Sequence, residues 1–219
     1  MEKVTLKRLI LLVYCIVFVV CRFILGIRGI GYLWAQCLVY VIAGTAVVFA
    51  YYESLANGVR EWINHPAKNG AWMIGIFIAN LVLSNLALFP ISLFCPDYVS
   101  GQENSIYTAF TDTNVPAILL VVALGVFGPI LEEAVFRLNM IGDAPKSCLS
   151  WVFVVISAII FMGMHMTALS VPELLNALPQ FVTGILYGVG YKVTRNSTVP
   201  IGLHIFNNLP AMLMIAISI

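Results

Sequence analysis

Charge is what this chain has least of. Of its 219 residues, 10% are Asp, Glu, Lys or Arg, and 61% are hydrophobic. An ordinary soluble domain carries about 25% charged residues, so a water-exposed globular surface is excluded and most of the chain belongs in lipid. A net charge of +1 leaves no basic face for nucleic acid. The five cysteines (Cys15, Cys21, Cys37, Cys95 and Cys148) show no CxxC spacing and read as small apolar fillers. The chain also lacks an HExxH motif, a low-complexity linker and a convincing internal repeat. No Ser or Cys stands beside a candidate base in any motif, which disfavours a covalent nucleophile. No small-x-small cleavage site follows the basic start Met1 to Arg8, so the first apolar run reads as an uncleaved span.

What is present in quantity is long apolar runs without the two-residue alternation of strands. A span needs about 20 such residues. The expected fold is all-α, a polytopic transmembrane helix bundle of about seven spans (six to eight), one integral membrane domain over residues 1–219. The spans read as Leu6–Ile27, Ile30–Tyr52, Ala71–Phe94, Pro116–Ile141, Cys148–Leu169, Leu174–Val193 and Val199–Ile219. Arg22 interrupts the first span, and snorkelling to the interface accounts for it.

Lys3, Lys7 and Arg8, then Arg60 and Lys68, then Lys146, Lys192 and Arg195 mark alternate loops as cytoplasmic by the positive-inside rule. The Cys95–Val115 loop holds Asp97, Glu103 and Asp112 with no Lys or Arg and reads as external. Arg28 alone is on the wrong side. The expected arrangement is a multi-pass protein of the cell membrane, bacterial and plasma-membrane in type, with its N-terminus cytoplasmic and its C-terminus outside.

Three polar clusters interrupt the apolar runs. Glu132, Glu133 and Arg137 follow an almost wholly apolar stretch. A charge at bilayer depth costs at least about 2.5–3.5 kcal/mol, so ionisable groups there call for a function. Glu133 and Arg137, four apart, share a helical face and can pair; Glu132 points about 100° away and is left for other work. Phe161 and His165 lie one turn apart, and His204 and Asn208 share a face of the last span. His65, before Pro66 in a polar loop, reads as simply solvated. Taken alone, either span histidine could be satisfied by a backbone carbonyl. Together, two acids, two histidines and an amide in spans are expected to converge on one cavity. A buried carboxylate beside a histidine can activate water. A second histidine and an amide can stabilise an oxyanion.

In these residues the chain resembles the CPBP (CAAX protease and bacteriocin-processing, or Abi) family of intramembrane glutamate proteases. The family pattern EExxxR, FxxxH, HxxxN is met in order by Glu132-Glu133…Arg137, Phe161…His165 and His204…Asn208, with similar context at Gly184–Gly188 and Val199–Leu203. The likeness covers about Val115 to Met214, which it identifies as the catalytic core. Leu138 departs from it, since members commonly carry glycine after the arginine. The resemblance implies an intramembrane endopeptidase in which Glu132 and His165 activate water and His204 and Asn208 form the oxyanion hole. Glu133 and Arg137 would support them, and no metal or other cofactor is implied. The partners implied are membrane lipid and a hydrophobic or lipidated peptide or protein. The lean chain looks like the bacterial members, which are linked to bacteriocin immunity, peptide maturation and surface-protein secretion.

Other readings stay open on the residues alone. They are a zinc protease with His165, His204 and a glutamate as ligands, a non-catalytic membrane protein acting in bacteriocin immunity or as a scaffold, and a proton-coupled transporter. The site is expected on the cytoplasmic half of the bundle. That placing carries a tension. A span beginning at Cys148 puts His165 some 17 residues in, roughly 25 Å, deeper than Glu132 is expected to lie. Either the span starts later or tilts, or 139–150 forms an interfacial segment.

Overall fold

The computed structural model describes residues 30–111, 115–142 and 149–218. The expected first span, Leu6–Ile27, and Arg22 lie outside these residues, as do Cys15, Cys21, Lys146 and Cys148. Every regular element among the described residues is helical. We number the helices α1 (Ile30–Ala50), α2 (Tyr52–Asn64), α3 (Pro66–Ala87), α4 (Phe89–Phe94) and α5 (Gly101–Thr111). They continue as α6 (Ala117–Ile141), α7 (Leu149–His165), α8 (Val171–Asn176), α9 (Leu178–Thr194) and α10 (Thr198–Ser218).

Among the described residues, four stretches are long and apolar enough to cross a membrane: Leu33–Ala50, Pro66–Phe94, Ala117–Ile141 and Thr198–Ser218. Helices α7 and α9 have 17 residues each, at the short end of what spans a bilayer. The loop expected between Tyr52 and Ala71 is instead helical, the 13-residue α2 and the start of α3 parted only at His65. The sequence also misses the short helices α4, α5 and α8. Helix α2 exposes Tyr52, Val59 and Ile63 beside charged Glu53, Arg60 and Glu61, the pattern of a helix lying along an interface rather than through it.

Helix α6 is the hub. It packs against α1, α7 and α10, while α9 packs on α7 and α3. Apolar side chains from α1 (Cys37, Tyr40, Val47), α6 (Leu120, Leu131, Phe136) and α7 (Phe161) close the main core. The outward faces stay apolar, with Ile74, Ile78, Leu81 and Leu86 on α3 and Trp151, Val155 and Ile159 on α7 all exposed. In water such faces would be a liability. In lipid they are the solvent-facing side.

Two glycines set a close helix contact. A Cβ on Gly184 would lie 2.8 Å from the Ala158 Cα, and one on Gly188 would lie 2.9 Å from Val154 Cγ1. Four residues apart on α9, they let α9 and α7 touch along small residues, as membrane helices do.

Helix α6 is also irregular in a useful way. Pro129 has no N–H to give the carbonyl of Gly125, and its ring crowds that carbonyl. Residues Ala123–Phe127 accordingly wind as π-helix, and Gly128 N–H donates to the Ala123 carbonyl. A second π segment, Ala134–Ile141, ends where Gly142 N–H donates to the Arg137 carbonyl at 2.8 Å. Gly142 follows at φ 48°, a left-handed position that suits glycine. Between the two π segments, one and a half turns of ordinary helix carry Glu132 and Glu133.

Candidate active site

Glu133 and Arg137 are among the most completely buried groups of the chain, at 1% and 0% exposure. They form the expected pair, Arg137 Nε lying 2.9 Å from Glu133 Oε2. The contact is an ion pair with its N–H off axis rather than a straight hydrogen bond. Arg137 also donates from Nη2 to the Gly184 carbonyl at 3.3 Å. Its guanidinium sits 5.2 Å from the centre of the Phe161 ring and 5.7 Å from that of Tyr187, within cation–π range. The close approach of α9 at Gly184 is what brings that carbonyl within reach.

Glu133 holds a second partner that the sequence spacing does not reveal. His204 Nδ1 lies 2.8 Å from Glu133 Oε1. A carboxylate paired with arginine accepts, so Nδ1 donates and the imidazole is fixed in orientation. His204 Nε2 then faces Glu132, 3.8 Å from Oε2. Glu132 keeps 13% of its side chain accessible against 1% for its neighbour. Its Oε2 has no hydrogen-bond partner among the described residues. One glutamate is consumed by structure and the next opens on a cavity, as the 100° offset along the helix implies.

His165 ends α7. Its Nδ1 lies 2.8 Å from the Phe161 carbonyl, which can only accept, so Nδ1 carries the proton and Nε2 is the acceptor of the neutral ring. The backbone-satisfied histidine and the chemically capable one are thus the same residue. The Phe161 ring lies between the two imidazoles, 4.4 Å from His165 and 5.8 Å from His204 between centres, and edge-on to Phe136 at 5.3 Å.

The depth tension dissolves in the register of α6 against α7. Ser157 Oγ donates to the Phe136 carbonyl at 3.1 Å, and Phe161 meets Phe136. One further turn along α7 therefore brings His165 level with Glu132 on the antiparallel α6. The helix begins at Leu149, essentially where expected. The error lay in levelling the two helices by their ends.

Glu132, His165 and Asn208 share a cavity of about 390 Å³, whose walls come from α1, α5, α6, α7 and α10. His204, behind Glu132, is 4% exposed. All four sequence-selected residues are therefore brought together. His65 is exposed and lies 3.8 Å from Glu61 at the surface. Among the described residues, no group of three or more His, Cys, Asp or Glu is arranged to hold a metal ion.

Sequence reasoning missed the wall that closes the cavity. Glu173 is 4% exposed. It accepts hydrogen bonds from Tyr98 Oη at 2.5 Å, Thr167 Oγ1 at 2.5 Å and Thr167 N at 3.1 Å. Burial raises this carboxyl, but the donors from Thr167 and Tyr98 and the Gly101 N–H outweigh it and hold it below its ordinary value. Burial and the adjacent Glu173 raise the Tyr98 hydroxyl, so it remains a donor. The clasp ties the turn after His165 to the start of α5. Its signal was in the sequence: Ser170-x-x-Glu173 is a capping-box pattern, and Ser170 does accept from Glu173 N–H at 3.4 Å.

Residues 114–210 match the family model of type II CAAX prenyl endopeptidase Rce1-like proteins, and Glu132, His165, His204 and Asn208 all fall inside that stretch. That stretch is similar to this protease family, in keeping with the CPBP resemblance, and the long apolar helices among the described residues mark a membrane protein. No curated protein and no solved structure matches the chain.

Proposed function

We propose that the protein is an intramembrane endopeptidase that hydrolyses a peptide bond with water activated inside the bundle. The observation that carries this reading is the split between adjacent glutamates. Glu133 is locked to Arg137 and His204, while Glu132 faces the cavity beside His204 Nε2 at 3.8 Å. Glu132 takes a proton from the attacking water, with His165 Nε2 as a second acceptor that orients it. As the carbonyl carbon becomes tetrahedral, its oxygen gains negative charge. The Asn208 amide and His204 Nε2–H then supply donors to that oxyanion. His204 can donate from Nε2 only with both ring nitrogens protonated, since Nδ1 already donates to Glu133; that carboxylate is the counter-ion for this form. The proton held by Glu132 finally passes to the leaving amine. Helices α6, α7 and α10 fix all four groups on rigid elements, which limits the reorganisation the reaction demands.

The family name supports a membrane-associated or lipidated peptide or protein as substrate. The test is cleavage of lipid-anchored peptides by the purified full-length protein in lipid nanodiscs, with and without a strong chelator. Cleavage that survives the chelator supports glutamate chemistry. Loss with chelator, restored by added zinc, supports the zinc reading with His165, His204 and a glutamate. No cleavage of any peptide, with function in cells retained by Glu132→Gln, supports the non-catalytic immunity or scaffold role.

A further inference from the structure

The two ends of the bundle differ in charge, and the cavity belongs to one of them. Among the described residues, every Lys and Arg except the buried Arg137 lies at one end. Arg60 and Lys68 flank the α2–α3 break, and Lys192 and Arg195 close α9. Contacts show these to be a single end. Asn196 donates to the Gly58 carbonyl at 3.0 Å, and Lys192 Nζ lies 4.6 Å from the centre of the Trp151 ring at the start of α7. Tyr51 donates to Asn139, joining the ends of α1 and α6 at 2.6 Å. By sequence, Lys146 between α6 and α7 belongs there too.

The cavity reaches none of that end. From Glu132 it runs along the first half of α6 toward α5, with walls from the first turns of α1, the end of α7 and the latter half of α10. Its outer lining includes Asn104 and Ser105 of α5, both exposed. The surrounding segments carry Asp97, Glu103 and Glu173 and, among the described residues, no Lys or Arg. Short loops rich in Lys and Arg stay in the cytoplasm. Arg28, just before α1, and Arg22, late in the expected first span, are the two basic residues the sequence puts toward the cavity end, against eight toward the other: Lys3, Lys7, Arg8, Arg60, Lys68, Lys146, Lys192 and Arg195.

We infer that the cavity opens to the side of the membrane away from the cytoplasm, and that its substrate is an uncharged, extended stretch of an exported polypeptide. The substrate half of this inference rests on the endopeptidase reading; the sidedness does not. It concerns the side on which the cavity opens rather than the depth of the four residues, and it removes the tails of cytoplasmic proteins from the candidate substrates. The lining fits such a segment. Gln36, Gln102, Asn104 and Thr108 offer neutral donors and acceptors to peptide groups, and Glu132 is the sole carboxylate among the lining residues. A charged segment would lose hydration there without a partner to replace it.

The test uses the full-length chain with its native cysteines replaced, carrying either Asn104→Cys or Lys68→Cys, and a membrane-impermeant maleimide. Labelling of Asn104→Cys in intact cells, with Lys68→Cys labelled only after permeabilisation, is the expected result. The reverse pattern overturns the inference. If the cysteine-free background fails to fold, C-terminal fusions decide the same point, because Ser218 ends α10 at the cavity end. An active alkaline phosphatase fusion with a dark green-fluorescent-protein fusion is expected; a bright fluorescent fusion with an inactive phosphatase overturns it. Neither readout depends on catalysis, so failure here leaves the protease reading standing. For the substrate, a neutral fluorogenic peptide anchored to the outer leaflet of intact cells should be cleaved several-fold faster than the same peptide delivered inside. Faster cleavage inside overturns the proposal. No cleavage from either side sinks its substrate half together with the protease reading.

Discussion

Among the described residues two carboxylates are buried almost completely, and by opposite means. Glu133, inside α6, is held by an arginine and a histidine; Glu173, in the first turn of the short helix α8, is held by two hydroxyls and backbone N–H groups. Neutral donors are enough where the chain is at the end of the bundle and several loops can converge on one acceptor. Inside a span, helical backbone offers no spare N–H groups, so compensation must come from side chains four residues along or from another helix. The ionic solution has a by-product that the neutral one lacks. It fixes an imidazole beside a second, more open carboxylate. Glu133 therefore organises reactive groups, whereas Glu173 organises a wall.

That contrast can be broken at graded cost. Glu133→Gln strands Arg137 inside the bundle, and losing one partner of a buried pair costs about 3–5 kcal/mol. Denaturant or thermal unfolding in detergent should show the loss, and the double variant with Arg137→Gln should recover part of it. If the double variant is no more stable than Glu133→Gln, the pairing contributes nothing. Asn208→Ala should leave folding unchanged and lower kcat by about 10²–10³, the effect of one oxyanion-hole donor. A change confined to KM would place Asn208 in substrate binding instead.

At the clasp, Glu173→Gln keeps shape but weakens hydrogen bonds that are worth about 1.5–3 kcal/mol to a charged group. Lower stability and faster proteolysis near 95–111 and 166–177 are expected, and an unchanged cleavage pattern would show that the clasp is dispensable. The smallest effect is on pH. Glu173 is held below its unfolded value of about 4.3. Its contribution is therefore complete above that pH and is lost as pH falls through the lower folded value. Wild-type stability should decline below about pH 4 with part of that slope missing in Glu173→Gln. Identical slopes would remove Glu173 from the acid response.

Much of this was readable before any coordinates. The helical class follows from apolar runs without alternation, and the Glu133–Arg137 pair from their spacing of four. Convergence of Glu132, His165, His204 and Asn208 follows from the cost of leaving such groups in lipid. The His204–Glu133 bond was not readable, because it joins residues 71 positions apart and depends on how α10 rotates against α6. The π segments around Glu132 also escape hydrophobic periodicity, although Pro129 marks the first. The level of His165 does not follow from span ends, because side-chain register between α6 and α7 sets it. Helix α5 and the Glu173 clasp escape the sequence because a polar stretch between spans gives no apolar periodicity, yet the cavity wall lies there.

The central claim is that adjacent glutamates have different jobs, and Glu132→Gln measured beside Glu133→Gln tests it most directly. Both variants should be assayed for cleavage and for unfolding in the same nanodiscs. Glu132→Gln keeps size and hydrogen bonding but removes the base. The expected result is an activity loss of about 10²–10⁴, the scale of general-base catalysis, with wild-type stability and yield, while Glu133→Gln loses stability as well. A fully active Glu132→Gln, or two variants that behave alike in both assays, would contradict the account.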